Sequence, residues 1–166
     1  MPKAVIAFGS NIQPERHVPL AIQRLGDHVR ILAISRVYET PPVGAPHAPT
    51  YWNGALLVET DLPPRELHDR VLRGIEKELG RVRTHDPYAP RTIDLDLVLY
   101  EGVTSEDPTL PLPAPDIFRY AHVAIPVAEI APDWPLPDQR TVADVAEELR
   151  PQSAAFRERK EVFNDD

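Results

Sequence analysis

Cysteine is absent from the 166 residues, so neither a disulfide framework nor a thiolate metal site is available. No apolar run approaches the roughly 18–20 residues needed to cross a bilayer. The opening "MPKAVIAFGSN" carries one lysine and too short an apolar stretch for a signal peptide. Together these absences point to a cytoplasmic protein. Basic residues are also scarce, 18 against 26 acidic ones, for a net charge of −8, which argues against a nucleic-acid surface. A small polyanion remains compatible, because a local arginine cluster or acid-held metal ions could bind it. Neither GxxxxGK[ST] nor GxGxxG occurs, which removes the familiar phosphate-cradling loops, and no HExxH spacing marks a zinc site.

What is abundant is proline, 20 residues, about double the usual share, which predicts long, stiffened loops. The length fits one domain, placed at residues 1–150, with a charged tail over 151–166. "KAVIAFGS" reads as a strand. Val18, Ala21, Ile22 and Leu25 then trace an amphipathic helix ending near Gly26. "VRILAISRVYET" and "YWNGALLVET" read as two strands around a proline-rich loop. Asp61 is the expected N-cap of a second helix opened by Pro63 and Pro64, with Leu67, Val71, Ile75 and Leu79 on one face and Gly80 at its end. Residues 119–131 carry a helical pattern that Pro126 should kink or interrupt, and Thr141 with Asp144 resembles a capping box. The order strand–helix–strand–strand–helix–strand predicts an α+β fold, a ferredoxin-like antiparallel sheet (βαββαβ core) with additional C-terminal helices.

The residues 90–100, "PRTIDLDLVLY", place two acids inside an apolar strand. Strand alternation sends Ile93, Leu95, Leu97 and Leu99 to one face and Asp94, Asp96 and Val98 to the other, with the two acids roughly 6–7 Å apart at the backbone. Alone, such a pair reads first as the solvated face of an amphipathic strand. Its neighbours change that reading. Arg81 and Arg83 lie before the intervening loop and Arg91 after it, more guanidinium than two acids need, and arginine forks match phosphate oxygens. Paired carboxylates suit Mg²⁺, which keeps waters and takes phosphate oxygens as further ligands. The combination suggests metal-assisted phosphoryl chemistry. His17, His28, His47, His68 and His85 read as solvated surface.

"RVRTHDPYAPRTIDLDLVLY" resembles the signature of the 6-hydroxymethyl-7,8-dihydropterin pyrophosphokinase family. "AFGSN", "YETPPVG…YWNGALLVET" and "AIPVAEIAPDWPLPD" agree with it in order and spacing, so the resemblance spans roughly residues 3–150. It implies transfer of pyrophosphate from ATP, the co-substrate, to the hydroxymethyl group of the dihydropterin, releasing AMP. It implies two Mg²⁺ ions held by Asp94 and Asp96, and catalytic roles for Arg81, Arg91, Asp94 and Asp96. Glu76, Arg83, Arg91 and Leu97 match nucleotide-side positions. Thr40, Pro41, Val43, Tyr51, Asn53, Tyr88 and His122 match the pterin pocket. The expected partners are these small molecules, with no nucleic acid and no membrane, acting on a monomer. Departures from the family pattern stand at Ala114, Tyr120 and His122, where histidine, arginine and phenylalanine are usual. They leave open a related enzyme with another alcohol acceptor, or a non-catalytic nucleotide or pterin binder.

Overall fold

A computed structural model of the chain describes residues 1–42, 49–81 and 91–160. The strands are β1 (Lys3–Ser10), β2 (Arg30–Ile34), β3 (Tyr38–Thr40), β4 (Tyr51–Glu59), β5 (Asp94–Tyr100) and β6 (Arg157–Glu158). They form one antiparallel sheet in the order β5-β1-β4-β3-β6, with β2 also pairing β4. This is the expected ferredoxin-like order, and the expected 29–40 strand is divided into β2 and β3. At the division Ser35 pairs with Ala55 through both its backbone N–H and its hydroxyl.

One face of the sheet is covered by α1 (Pro14–Gly26) and by a second helical rod. The rod is built from α2 (Pro64–Glu66), a π-helical stretch (Leu67–Leu72) and α3 (Arg73–Glu78). Ile6, Phe8, Leu25, Leu67, Ile75 and Leu95 are among the side chains that fuse this layer into one core. The rod opens on Pro63 and Pro64 without the side-chain cap expected of Asp61. It closes as expected on Gly80, whose φ of 84° only glycine adopts without strain.

The other face is covered by α4 (Ala121–Ile130) and α5 (Val142–Leu149), over Val5, Ala7, Ala55 and Val98. The sheet is thus the middle of three layers. α4 runs through Pro126 without the expected interruption, and α5 starts on the Thr141–Asp144 capping box. The tail from 151 is not loosely attached over its described part. A short 3-10 turn (Arg150–Ser153) leads to β6 on the sheet edge.

β5 departs from simple alternation. Val5 pairs with Leu99 and Ile6 with Leu97, so Val98 is an extra residue, a β-bulge. Ile93, Leu95 and Leu97 point into the α1 layer as expected, but Leu99 joins Val98 in the α4–α5 layer. Asp94 and Asp96 precede the bulge, opposite Gly9 and Ala7 of β1, and keep their shared face.

Candidate active site

The three buried aliphatics Ile93, Leu95 and Leu97 anchor the start of β5. Each is worth about 1.5–3 kcal/mol of burial, enough to hold an acid pair at the rim of the core. Around that pair the structure gathers a chain of alternating charges. Its centre is Glu76, 2% exposed, which rules out the free surface glutamate that a helix position alone would suggest. Its carboxylate accepts from Arg73 Nη1 (3.0 Å to each oxygen), from Arg81 Nη1 (3.0 Å) and from the Leu95 N–H (2.8 Å). The last bond ties the helical rod to β5 beside the acids.

Arg81 reaches this place through the Gly80 turn, which returns the Arg81 N–H to the Glu76 carbonyl. Its Nη1 also donates to Asp94 Oδ1 at 2.7 Å. Burial alone would lower the guanidinium pKa, but Asp94 and Glu76 outweigh it and raise it. Arg91 Nη1 donates to the other Asp94 oxygen at 2.8 Å. Asp94 therefore sits between two guanidinium groups.

Arg91 is itself placed by the end of β1. Asn11 and Arg91 exchange hydrogen bonds, the Arg91 N–H to Asn11 Oδ1 (2.6 Å) and the Asn11 N–H to the Arg91 carbonyl (3.0 Å). Ser10 Oγ adds a bond to the Thr92 carbonyl at 2.6 Å. The "GSN" turn thus acts as a clamp on the segment leading into β5.

Among the described residues Asp96 has no comparable partner. The Arg73 guanidinium approaches it at 3.9 Å. Partial loss of water around its half-exposed side chain, and then the Asp94 charge, push its carboxyl up to about 7. It opens onto a cleft of about 230 Å³ shared with Arg73, His68, Leu97 and Ala114. The cleft joins a charged end to an apolar wall of Val98, Leu110 and Pro115.

Arg73 and His68 are residues that sequence reasoning missed. The π-helical stretch widens the turn so that residues five apart meet, and Arg73 Nη2 donates to His68 Nε2 at 2.9 Å. A guanidinium has no acceptor, so the His68 proton resides on Nδ1 and is donated to Asp69 Oδ1 at 2.6 Å. His68 is therefore a held side chain and not the solvated one expected. The i, i+3 spacing of Arg73 to Glu76 was a usable signal. So was the strict four-residue step of Leu67, Val71, Ile75 and Leu79, wider than an α-helix prefers.

Beside the acids lies a cradle between β3 and β4. Asn53 Nδ2 donates to Thr40 Oγ1 at 2.6 Å, both side chains buried. Gly9 faces Asn53 across the β1–β4 ladder, and a Cβ there would stand 2.7 Å from Asn53 Oδ1. The amide thus lies in the space that glycine leaves. Tyr51, half-buried, flanks it, and burial raises its hydroxyl pKa against the opposing charge of Arg91. That coupling joins the cradle to the charge cluster.

Pro41 is exposed at the end of β3. Leu97 lines the cleft, although its side chain belongs to the α1 layer. His122 stacks on Tyr120, with ring centroids 5.1 Å apart, and burial lowers its pKa. Val43, Arg83 and Tyr88 lie outside the described residues.

Two carboxylates on one strand face fit a hard divalent cation that completes its shell with water and ligand oxygen. Among the described residues no group of three acids or histidines could hold a metal unaided. Asp94 and Asp96 are the candidates. Among the described residues three buried polar atoms at this end, Asn11 Nδ2, Arg81 Nε and Thr92 Oγ1, have no hydrogen-bond partner. Among the described residues no helix is long and apolar enough to cross a membrane.

Comparison with known proteins bears on the family and the fold. A family model described as 7,8-dihydro-6-hydroxymethylpterin-pyrophosphokinase matches residues 5–132. The 2-amino-4-hydroxy-6-hydroxymethyldihydropteridine pyrophosphokinase of Pseudomonas aeruginosa is 35% identical over 147 residues, 86% of this chain and 89% of that one. That of Methylorubrum extorquens is 38% identical over 136 residues, 80% and 85% of the two chains. A crystal structure of a triple mutant of Plasmodium falciparum HPPK-DHPS with SDX-DHP superimposes with a TM-score of 0.71 at 12% identity, covering 93% of this chain and 45% of that one. At that identity the likeness speaks for the fold, and the chain spans under half the length of these solved proteins.

Proposed function

The chain belongs to the 7,8-dihydro-6-hydroxymethylpterin-pyrophosphokinase family, and we propose that the cluster at the start of β5 carries out that family's reaction. The enzyme transfers the pyrophosphoryl group of ATP to the hydroxymethyl group of 6-hydroxymethyl-7,8-dihydropterin, a step of folate biosynthesis. The hydroxyl oxygen bonds to the β-phosphorus, the α–β bridging bond breaks, AMP leaves with the bridging oxygen, and the hydroxyl gives up its proton. The observation that carries this reading is the juxtaposition of Asp94 and Asp96 with three guanidinium groups on one side and the Thr40–Asn53 cradle on the other.

Asp94 and Asp96 would hold Mg²⁺, two ions in this reading, and the metal would supply neutralisation of the triphosphate charge. Arg81 and Arg91 fix the Asp94 carboxylate and present positive charge toward the transferred group. Arg73 faces the nucleotide cleft beside Asp96, held there by Glu76 and His68. Glu76 aligns Arg73 and Arg81 without touching substrate. Thr40 and Asn53 offer the donor and acceptor groups that the edge of a flat heterocycle requires, with Tyr51 at its side. ATP as co-substrate supports a cytoplasmic setting.

The test is AMP release from ATP, Mg²⁺ and 6-hydroxymethyl-7,8-dihydropterin. Stoichiometric AMP and pyrophosphorylated pterin are expected. Faster turnover of a different alcohol, or none of the pterin, overturns the assignment.

A further inference from the structure

The C-terminal segment reaches back to the acceptor side of the sheet. β6 pairs with β3 in the register Tyr38↔Glu158 and Glu39↔Arg157, and the next residue, Arg159, donates its N–H to the Val37 carbonyl at 2.7 Å. Its guanidinium then turns onto β3 and β4. Arg159 Nη2 lies 3.0 Å from each Glu39 oxygen, and the guanidinium carbon stands 5.3 Å from the centre of the Trp52 ring, a cation–π distance. Glu39 Oε2 also accepts from Thr50 Oγ1 at 3.0 Å. The Arg159 hydrogen bond is the leading cause that holds the Glu39 carboxyl below its ordinary range.

The place of this cluster in the ladder is informative. Glu39 and Trp52 form the middle rung of β3–β4, between the rungs Tyr38↔Asn53 and Thr40↔Tyr51. Thr40, Tyr51 and Asn53, the cradle residues, all lie on those flanking rungs and so on the opposite face. A three-residue strand is a weak ladder by itself. Here its outer edge is occupied by β6 and its middle rung is gripped from behind by a single guanidinium. Tyr38 is further held by the Phe156 ring, 6.2 Å away.

We propose that Arg159 is a positioning residue for the acceptor substrate: by gripping Glu39 and covering Trp52 it fixes the spacing of Thr40 and Asn53, the pair that reads the heterocycle. This inference rests on the pterin reading of the cradle. It assigns the C-terminal segment to acceptor binding and leaves the nucleotide cleft independent of it.

The experiment compares the full-length protein with Arg159→Ala. Binding of 6-hydroxymethylpterin is followed by the ligand's own fluorescence, and binding of a non-hydrolysable ATP analogue with Mg²⁺ by calorimetry. The expected result is an acceptor Kd and KM raised about tenfold, with analogue affinity and kcat changed by less than about twofold. Exchanging the charges, Arg159→Glu with Glu39→Arg, should restore a large part of acceptor affinity. If Arg159→Ala does not fold, Arg159→Gln, which keeps a donor but no charge, is read in the same way. Unchanged acceptor affinity, or equal losses for both ligands, overturns the positioning role while the functional reading stands. A wild-type protein that binds the ATP analogue but no pterin overturns both.

Discussion

Asp94 and Asp96 stand two residues apart on one strand and share a face, yet they live in opposite electrostatic settings. Asp94 is 18% exposed at its side chain and holds two guanidinium groups at 2.7 and 2.8 Å. Asp96 is 48% exposed, has its nearest cation among the described residues at 3.9 Å, and is pushed up to about 7. Strand geometry makes the two equivalent, so the difference comes from what the neighbouring elements bring. The Gly80 turn and the Asn11 clamp both deliver arginine to Asp94, and the π-helical rod stops Arg73 just short of Asp96. One acid is bound into the scaffold, and the other faces the cleft.

Removing each acid in turn tests that contrast most severely. Asp94→Ala and Asp96→Ala should each lower pyrophosphoryl transfer by about 10³-fold or more, the several kcal/mol expected of lost metal stabilisation. Their stabilities should move apart. Asp94→Ala leaves Arg81 and Arg91 without their shared partner and should cost about 3 kcal/mol, whereas Asp96→Ala relieves like-charge repulsion and should leave Tm unchanged or higher. Denaturant unfolding checks this, and equal losses would erase the distinction.

Next in size is Arg73→Ala. It should raise KM for ATP about tenfold with little change for the pterin, as read by initial-rate kinetics. A matching rise for the pterin would break its assignment to the nucleotide cleft.

The smallest effect is in pH. Asp96 has a folded pKa of about 7 against an ordinary 3.8, so the native state keeps a proton that the unfolded chain has lost. The associated stability is fully present below about 4 and is lost as pH rises through about 7. In cation-free buffer Asp96→Asn should flatten this part of the Tm profile, by a few degrees at most because solvent screens the half-exposed carboxyl. Mg²⁺ binding to the wild type should tighten over the same interval, since the ligand must be ionised. A pH-independent Mg²⁺ affinity would remove the open-acid picture.

Much of this was legible in the sequence, for physical reasons. Hydrophobic periodicity and the glycine and proline punctuation marked the sheet order, the covered face of β5 and the Gly80 stop. The acid pair announced itself because carboxylates inside an apolar run need an explanation. Less local features were hidden. The Val98 bulge depends on the register against β1, which no single strand encodes, and it sent Leu99 to the layer opposite the expected one. Burial of Glu76 depends on a backbone donor from Leu95, nineteen residues away. The meeting of His68 with Arg73 needs a helix wound wider than the α form, and the docking of the tail needs an edge strand short enough to leave room for it.

The Val98 bulge divides β5 into two stretches of opposite phase. Before it, alternate residues supply the acids and their anchors. After it, Leu99 packs under α4 and α5, and Tyr100 turns to the other layer, where its hydroxyl bonds the Leu62 carbonyl at 2.7 Å. The strand therefore serves two masters without compromise between them. Repacking beyond the joint can drift as the outer helices change, while the frame of the carboxylates stays set by β1, and chemistry and bulk stability can be altered on one strand separately.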